Sequence, residues 1–161
     1  MLRIEHTYRA GFTEKIVDSK FKTVECSVVI AASPKRVFEA LTVADKLAAW
    51  WPPAAETDPR LGGKVVLWWT KEKSTANPAN RSETTFTTFD PPREVSYWGT
   101  TFTLKPLGDR TQVTITDREC PADDGIISVA LTWGALRLNL KTYIERGFDM
   151  RSSTGFGRWG E

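Results

Sequence analysis

Residues 122–147 read ADDGIISVALTWGALRLNLKTYIERG, and apolar side chains return there at helical spacing for longer than anywhere else in the chain. Ile126, Val129, Trp133, Leu136, Leu140 and Ile144 form one stripe along this predicted helix. Asp123 and Asp124 stand at the positive end of its dipole and Lys141 and Arg146 near the negative end. Gly147 can take the left-handed conformation that closes a helix. Ile127, Leu131 and Leu138 form a second apolar cluster on nearly the opposite side. A helix lying over a single sheet has no use for that cluster. A cover is therefore expected: the N-terminal residues, the aromatic tail with Phe156 and Trp159, or a second copy of the chain.

Upstream of this helix most of the chain reads as strand. In KTVECSVVIAA, 22–32, Val24, Cys26, Val28 and Ile30 alternate with Glu25, Ser27 and Val29, the period of a half-buried strand. Ser33 is a natural N-cap and Pro34 suits the first helical position, so a short helix with Val37, Phe38 and Leu41 on one face follows. A second short helix runs into LAAWWPPA, 47–54, where Pro52-Pro53 forces the chain out of helical geometry and pushes Trp51 toward an extended conformation. GGKVVLWWT (62–70), SETTFTTFD (82–90), EVSYWGT, TFTLKP and TQVTITDREC then read as strands, the last two joined by a hairpin signal at 107–110. One strand, two short helices, a run of strands and a long helix argue an α+β fold with an antiparallel sheet covered on one face.

Size and composition close off other classes. At 161 residues the chain is one domain with room for its own core. Its 22 basic and 20 acidic residues are interspersed, without the one-sided basic patch of a nucleic-acid binder. The apolar runs fall short of the roughly 20 residues of a membrane helix, and the charged N-terminus has no signal-peptide core. Cys26 and Cys120 lack metal-like spacing and read as reduced thiols of a cytoplasmic protein. His6 is the sole histidine, which leaves no histidine-based metal cluster. Gly155 to Gly160 formally fits GxGxxG, but neither the strand nor the helix that the dinucleotide motif needs surrounds it. No metal and no cofactor are expected.

The segments VVIAASPKRVFEALTVADKLAAWWPP, GGKVVLWW, FDPPREVSYW, TFTLKPLGDRTQVTITD and TWGALRLNLKTYIERG together resemble the heat-shock-protein-90-ATPase-activator-like domains, a group within the START-type helix-grip superfamily. The resemblance covers about residues 22–148 and is most specific from Leu47 to Pro52 and from Trp133 to Gly147. It implies a curved antiparallel sheet of about six strands gripping the C-terminal helix, with the two short helices between the first two strands. Residues 1–21 would be an N-terminal extension and 149–161 a flexible tail. It also implies a cavity between sheet and long helix for an apolar or amphipathic small molecule. In such domains the first member of the double tryptophan plugs the junction of helices and sheet, and the next position lies near the cavity mouth.

Bulky planar residues on several strands of a curved sheet can line such a pocket or simply fill a core. Trp51, Trp69, Phe86, Tyr97, Phe102 and Trp133 are the candidate cavity rings. Asp117 shares a strand face with Val113 and Ile115, and Arg137 lies beside the main stripe of the helix, so the two are candidates for a polar anchor or, alternatively, solvated surface groups. Asp117, Glu119, Glu25 and Tyr97 are the groups open to acid–base chemistry, without a spacing that pairs any two of them. The expected function is non-catalytic binding of a small hydrophobic molecule. The alternatives are a co-chaperone-like accessory of a heat-shock-protein-90-type ATPase and, third, a cyclase or aromatase-type enzyme. A homodimer through Ile127, Leu131 and Leu138 is the expected assembly.

Overall fold

The computed structural model describes residues 5–8, 12–15, 21–121 and 125–152. Its strands are β1 (Glu5–Tyr8), β2 (Phe12–Lys15), β3 (Phe21–Ile30), β4 (Ala54–Thr57), β5 (Lys64–Trp68), β6 (Arg81–Thr85), β7 (Thr88–Asp90), β8 (Glu94–Tyr97), β9 (Thr100–Leu107) and β10 (Arg110–Pro121). Helices α1 (Pro34–Thr42) and α2 (Ala44–Ala48) follow β3, and α3 (Gly125–Arg146) follows β10. Seven strands form an antiparallel sheet in the order β1-β2-β3-β10-β9-β8-β7, and β4-β5-β6 form a second sheet of three. The strands are thus more numerous than the six expected, and they are divided between two ladders.

Three local departures from the sequence reading account for that division. Ala54–Thr57, directly after Pro52-Pro53, is an edge strand, although its alanines carry no strand signature. SETTFTTFD is not one strand: Phe86 still bonds to Gly62 and Gly63 beside β5, whereas Thr87 already bonds to Ser96 of β8. The chain therefore changes sheets between those two residues. Within the stretch read as an extension, β1 pairs antiparallel with β2, and β2 pairs Lys15 to Phe12 with Thr23 to Cys26 of β3.

Elsewhere the local chemistry acts as expected. The Ser33 hydroxyl accepts the Arg36 N–H at the start of α1, with Pro34 inside the first turn. Gly108 has a φ of +65° in the two-residue turn between β9 and β10. Gly147, at +66°, closes α3 through a bond to the Tyr143 carbonyl. Trp133, Leu136, Leu140 and Ile144 of the main stripe are buried against the sheet, and α3 packs chiefly on β3 and then on β10.

The grip itself has a polar component. The pairing of β2 with β3 reaches only to Cys26, which leaves the backbone of residues 27–31 open along that edge among the described residues. Three side chains of α3, one per turn, take it up. Arg137 donates to the Ser27 carbonyl (2.6 Å), Lys141 to the Val29 carbonyl (2.7 Å), and Glu145 accepts the Ala31 N–H (2.6 Å). Four helical residues rise about 6 Å and two strand residues about 6.6 Å, so a helix and a strand lying side by side keep this register over three bonds.

Candidate functional site

A cavity of about 260 Å³ opens where the α2–β4 junction, the β8–β9 turn and the first half of α3 meet the small sheet. Trp51, Trp69, Trp98 and Trp133 supply its rings, Leu67 part of its floor, and Ser82, Thr100 and Asp117 its polar groups.

Each ring is held by its own device. Trp50 and Trp51 divide the work of the double tryptophan. Trp50 is fully buried, with its indole N–H on the Ala40 carbonyl (2.8 Å), while Trp51 is half-buried and faces the cavity. The Trp51 ring lies 5.1 Å from that of Trp133 at 60°. The backbone behind Trp51 is clamped from the C-terminal end of the fold. Arg151 donates to the Trp51 carbonyl and, at 3.1 Å, to the Ala48 carbonyl. Asp149 holds Arg151 at 2.7 Å, and Asn139 bonds the Trp50 carbonyl (2.6 Å), Asp149 (2.9 Å) and the Met150 N–H (2.7 Å). Burial alone would raise the Asp149 carboxyl, but the hydrogen bonds from Arg151 and Asn139 outweigh it and hold the group below the usual carboxylate range. Residues 149–152, read as the beginning of a loose tail, are part of this clamp.

Trp69 follows β5 and donates its indole N–H to Ser82 (3.1 Å). Val65 and Leu67, on the same side of the strand, enter the core, whereas Trp68 faces away with the Arg81 guanidinium 5.6 Å from its ring. Trp98 and Gly99 form the two-residue turn of the β8–β9 hairpin, with φ of 50° and 68°. Both central residues of such a turn must be left-handed, a conformation suited to Asn-Gly and strained for tryptophan. Asp117 stands immediately before a register shift in β10. Its Oδ2 accepts the indole N–H of Trp133 (3.0 Å) and the hydroxyl of Thr100 (3.2 Å).

Of the residues singled out in the sequence, Trp51, Trp69, Asp117 and Trp133 line this cavity. Phe86, Tyr97 and Phe102 do not: each is at most 1% exposed and forms a second layer of rings behind it. Tyr97 stacks on Trp51 at 6.2 Å and meets Phe86 at 5.5 Å, and Phe102 lies 5.6 Å from Trp133. Burial pushes the Tyr97 hydroxyl far above its ordinary range, and the group donates to the Leu41 carbonyl (3.2 Å). Arg137 is likewise absent from the lining, because its guanidinium is drawn onto the open edge of β3. No Asp117–Arg137 ion pair occurs among those of the described residues. Glu25 accepts from Thr116 on the sheet. The Glu119 side chain and the GxGxxG of the tail lie outside the described residues. Cys26 and Cys120 are free and buried, and burial pushes their thiols up to about 11 and about 12. Trp98, inside the stretch EVSYWGT read as a strand, belongs to the turn instead, and the Asn139–Asp149–Arg151 clamp has no counterpart in the sequence reading. Their available signals were a Trp-Gly pair between two strand patterns and a polar residue inside the helix's apolar sector.

An antiparallel sheet, two short helices after its third strand and a long helix bonded back across it define an α+β helix-grip protein. Residues 31–145 match the family described as activator of Hsp90 ATPase homolog 1-like protein, and the chain belongs to that family. No curated protein sequence matches the chain. Among solved structures, a conserved protein of unknown function, EF2215 of Enterococcus faecalis, superposes with a TM-score of 0.71 at 18% identity over 90% of this chain and 83% of that one. Protein SSP2350 of Staphylococcus saprophyticus gives 0.69 at 17% over 80% and 96%. The Aha1 dimer from Colwellia psychrerythraea gives 0.64 at 21% over 78% and 97%. At these identities the likeness is one of fold alone. Among the described residues no helix is long and apolar enough to cross a membrane.

Proposed function

We propose that the chain binds a small apolar molecule, or the compact part of an amphipathic one, in the four-tryptophan cavity and does no chemistry on it. The observation that carries this reading is a hollow of about 260 Å³ walled by indoles that are fixed by hydrogen bonds and a clamp. The volume lies below the roughly 300–1,000 Å³ of drug-sized pockets, which favours a small ligand or a head group over an engulfed lipid. Among the described residues Asp117 is the one ionisable group in the lining, and acid–base catalysis asks for a second positioned group. The test is titration of tryptophan emission with fatty acids, sterols, flavonoids and short amphiphiles, beside native mass spectrometry of the purified protein. Quenching or a retained ligand mass is expected. A flat response to the whole panel with no retained mass would defeat the reading.

The assembly proposed is a homodimer through α3. Ile127, Leu131 and Leu138 are 61%, 69% and 45% exposed on its outer side, and a structural relative is described as a dimer. Sedimentation should show a dimer that Leu131→Glu dissociates; a wild-type monomer at tens of micromolar would end this part. The family description favours a second functional reading, docking on an Hsp90-type ATPase. It predicts stimulated ATP hydrolysis when the two proteins are mixed, and unchanged turnover would dispose of it. The two free buried cysteines support the cytoplasmic placement.

A further inference from the structure

We propose that the cavity is a cage for a quaternary ammonium group, with Trp51, Trp69, Trp98 and Trp133 as its walls and Asp117 as its counter-charge. The inference rests on the binding reading above and names the ligand's chemistry. Indole is the best of the side-chain faces for a cation, and several faces around one point are how proteins hold methylated ammonium groups. Four of the chain's seven tryptophans meet at this one cavity.

The charge at the site selects among ligands. Among the described lining residues Asp117 is acidic and the others are neutral, which disfavours an anionic head group. The wall's polar groups are already engaged with one another. Asp117 Oδ2 takes the Trp133 and Thr100 donors, and Ser82 takes the Trp69 donor. A primary ammonium has three N–H groups to satisfy and would share those acceptor groups with the donors already on them. A quaternary ammonium has none to satisfy and needs only aromatic faces and a nearby negative charge. Ring orientation argues against a flat neutral ligand, because Trp51 and Trp133 meet at 60°, the corner of a box rather than a parallel slot. A single carboxylate among the described lining residues disfavours a metal ion.

Trp98 adds an independent observation. Its φ of 50° is strained for a tryptophan in a turn where asparagine or glycine would fit freely. Strain of this kind collects at functional sites, and here it delivers one more indole to the cavity.

The experiment follows the indole N–H signals of isotope-labelled protein during titration with choline, with tetramethylammonium, and with the neutral isostere of choline in which carbon replaces the quaternary nitrogen. Choline and tetramethylammonium should shift the Trp51, Trp69, Trp98 and Trp133 signals while Trp68 stays put, and the isostere should bind at least about tenfold more weakly. Asp117→Asn, which keeps an acceptor for Trp133, should weaken choline about tenfold more than it weakens the isostere. Equal binding of choline and isostere would overturn the cage while leaving the cavity a binding site. No shift with any of the three would also overturn it, and the fluorescence panel of apolar ligands would then decide separately whether the cavity binds anything. The wild-type comparison holds even if the variant fails to fold.

Discussion

Asn139→Ala tests the link between the C-terminal end of the fold and the cavity. Asn139 is 4% exposed and ties the Trp50 carbonyl, the Asp149 carboxylate and the Met150 N–H together. Alanine removes all three bonds. The Trp50 carbonyl is enclosed, so its loss carries the full penalty of an unsatisfied buried group, about 1–3 kcal/mol. Asp149 and Met150 are half-buried, and water can replace part of what they lose. The expected destabilisation is therefore about 3 kcal/mol, which for a chain of this size lowers Tm by roughly 6–12 °C. Ser128→Ala, on the exposed side of the same helix, is the control and should move Tm by less than about 2 °C. The assay is thermal unfolding by calorimetry beside the choline titration. Because the clamp fixes the backbone of Trp51, ligand affinity should fall as well, even below the new midpoint. A Tm within about 2 °C of wild type would refute the claim that Asn139 holds this junction.

Three further outcomes are expected. Trp98→Asn relieves a left-handed tryptophan, worth about 1–2 kcal/mol, and loses a ring contact with Tyr97 worth about 0.5–1.5 kcal/mol. Tm should therefore stay within about 4 °C while choline binding weakens severalfold; a large loss of Tm would show that the tryptophan serves the turn. Arg137→Met keeps the aliphatic stem and deletes the donor to Ser27, so calorimetry should show a loss of about 1–2 kcal/mol with unchanged ligand affinity. Changed affinity would return Arg137 to the site. Asp149, held below the usual carboxylate range, contributes stability that is complete above about pH 4 and is lost as pH falls through its lowered pKa. Acid titration of Tm in the wild type and in Asp149→Asn should converge at low pH; parallel curves would remove the carboxylate from the clamp.

The elements legible in the sequence are those whose signal is periodic or chemical and local. Helix α3 announces itself by its stripe, β3 by alternation, α1 by Ser33-Pro34, and the β9–β10 turn by Gly108. What escaped depends on tertiary partners. The strand Ala54–Thr57 has no intrinsic preference and exists because β5 lies beside it. The break at Phe86 needs two sheets to be in place before it has meaning. For the site, a ring on a strand is equally good as wall or as filling. Phe102 and Tyr97 lie one layer too deep to touch a ligand, and depth is not a property of a single strand. Arg137 was misplaced for a related reason. Its position beside the apolar stripe is correct, but the open edge of β3 that captures it results from where β2 stops.

The positions of the four indoles bear on why the cavity lies where it does. None of them relies on ring packing alone. Trp51 is fixed through its backbone by Pro52-Pro53 and Arg151, Trp69 by Ser82, Trp98 by a turn that gives it little choice of direction, and Trp133 by Asp117. Side chains confined before a ligand arrives lose little freedom on binding, and that loss, commonly about 0.5–1.5 kcal/mol per ordered side chain, is what separates a weak aromatic contact from a useful site. Trp50 differs in depth: its indole N–H is bonded to the Ala40 carbonyl and its carbonyl to Asn139, but its ring is completely buried. Trp51, Trp69 and Trp98 keep part of their rings in water, and fixing exposed rings in advance is what the proposed recognition of a ligand calls for.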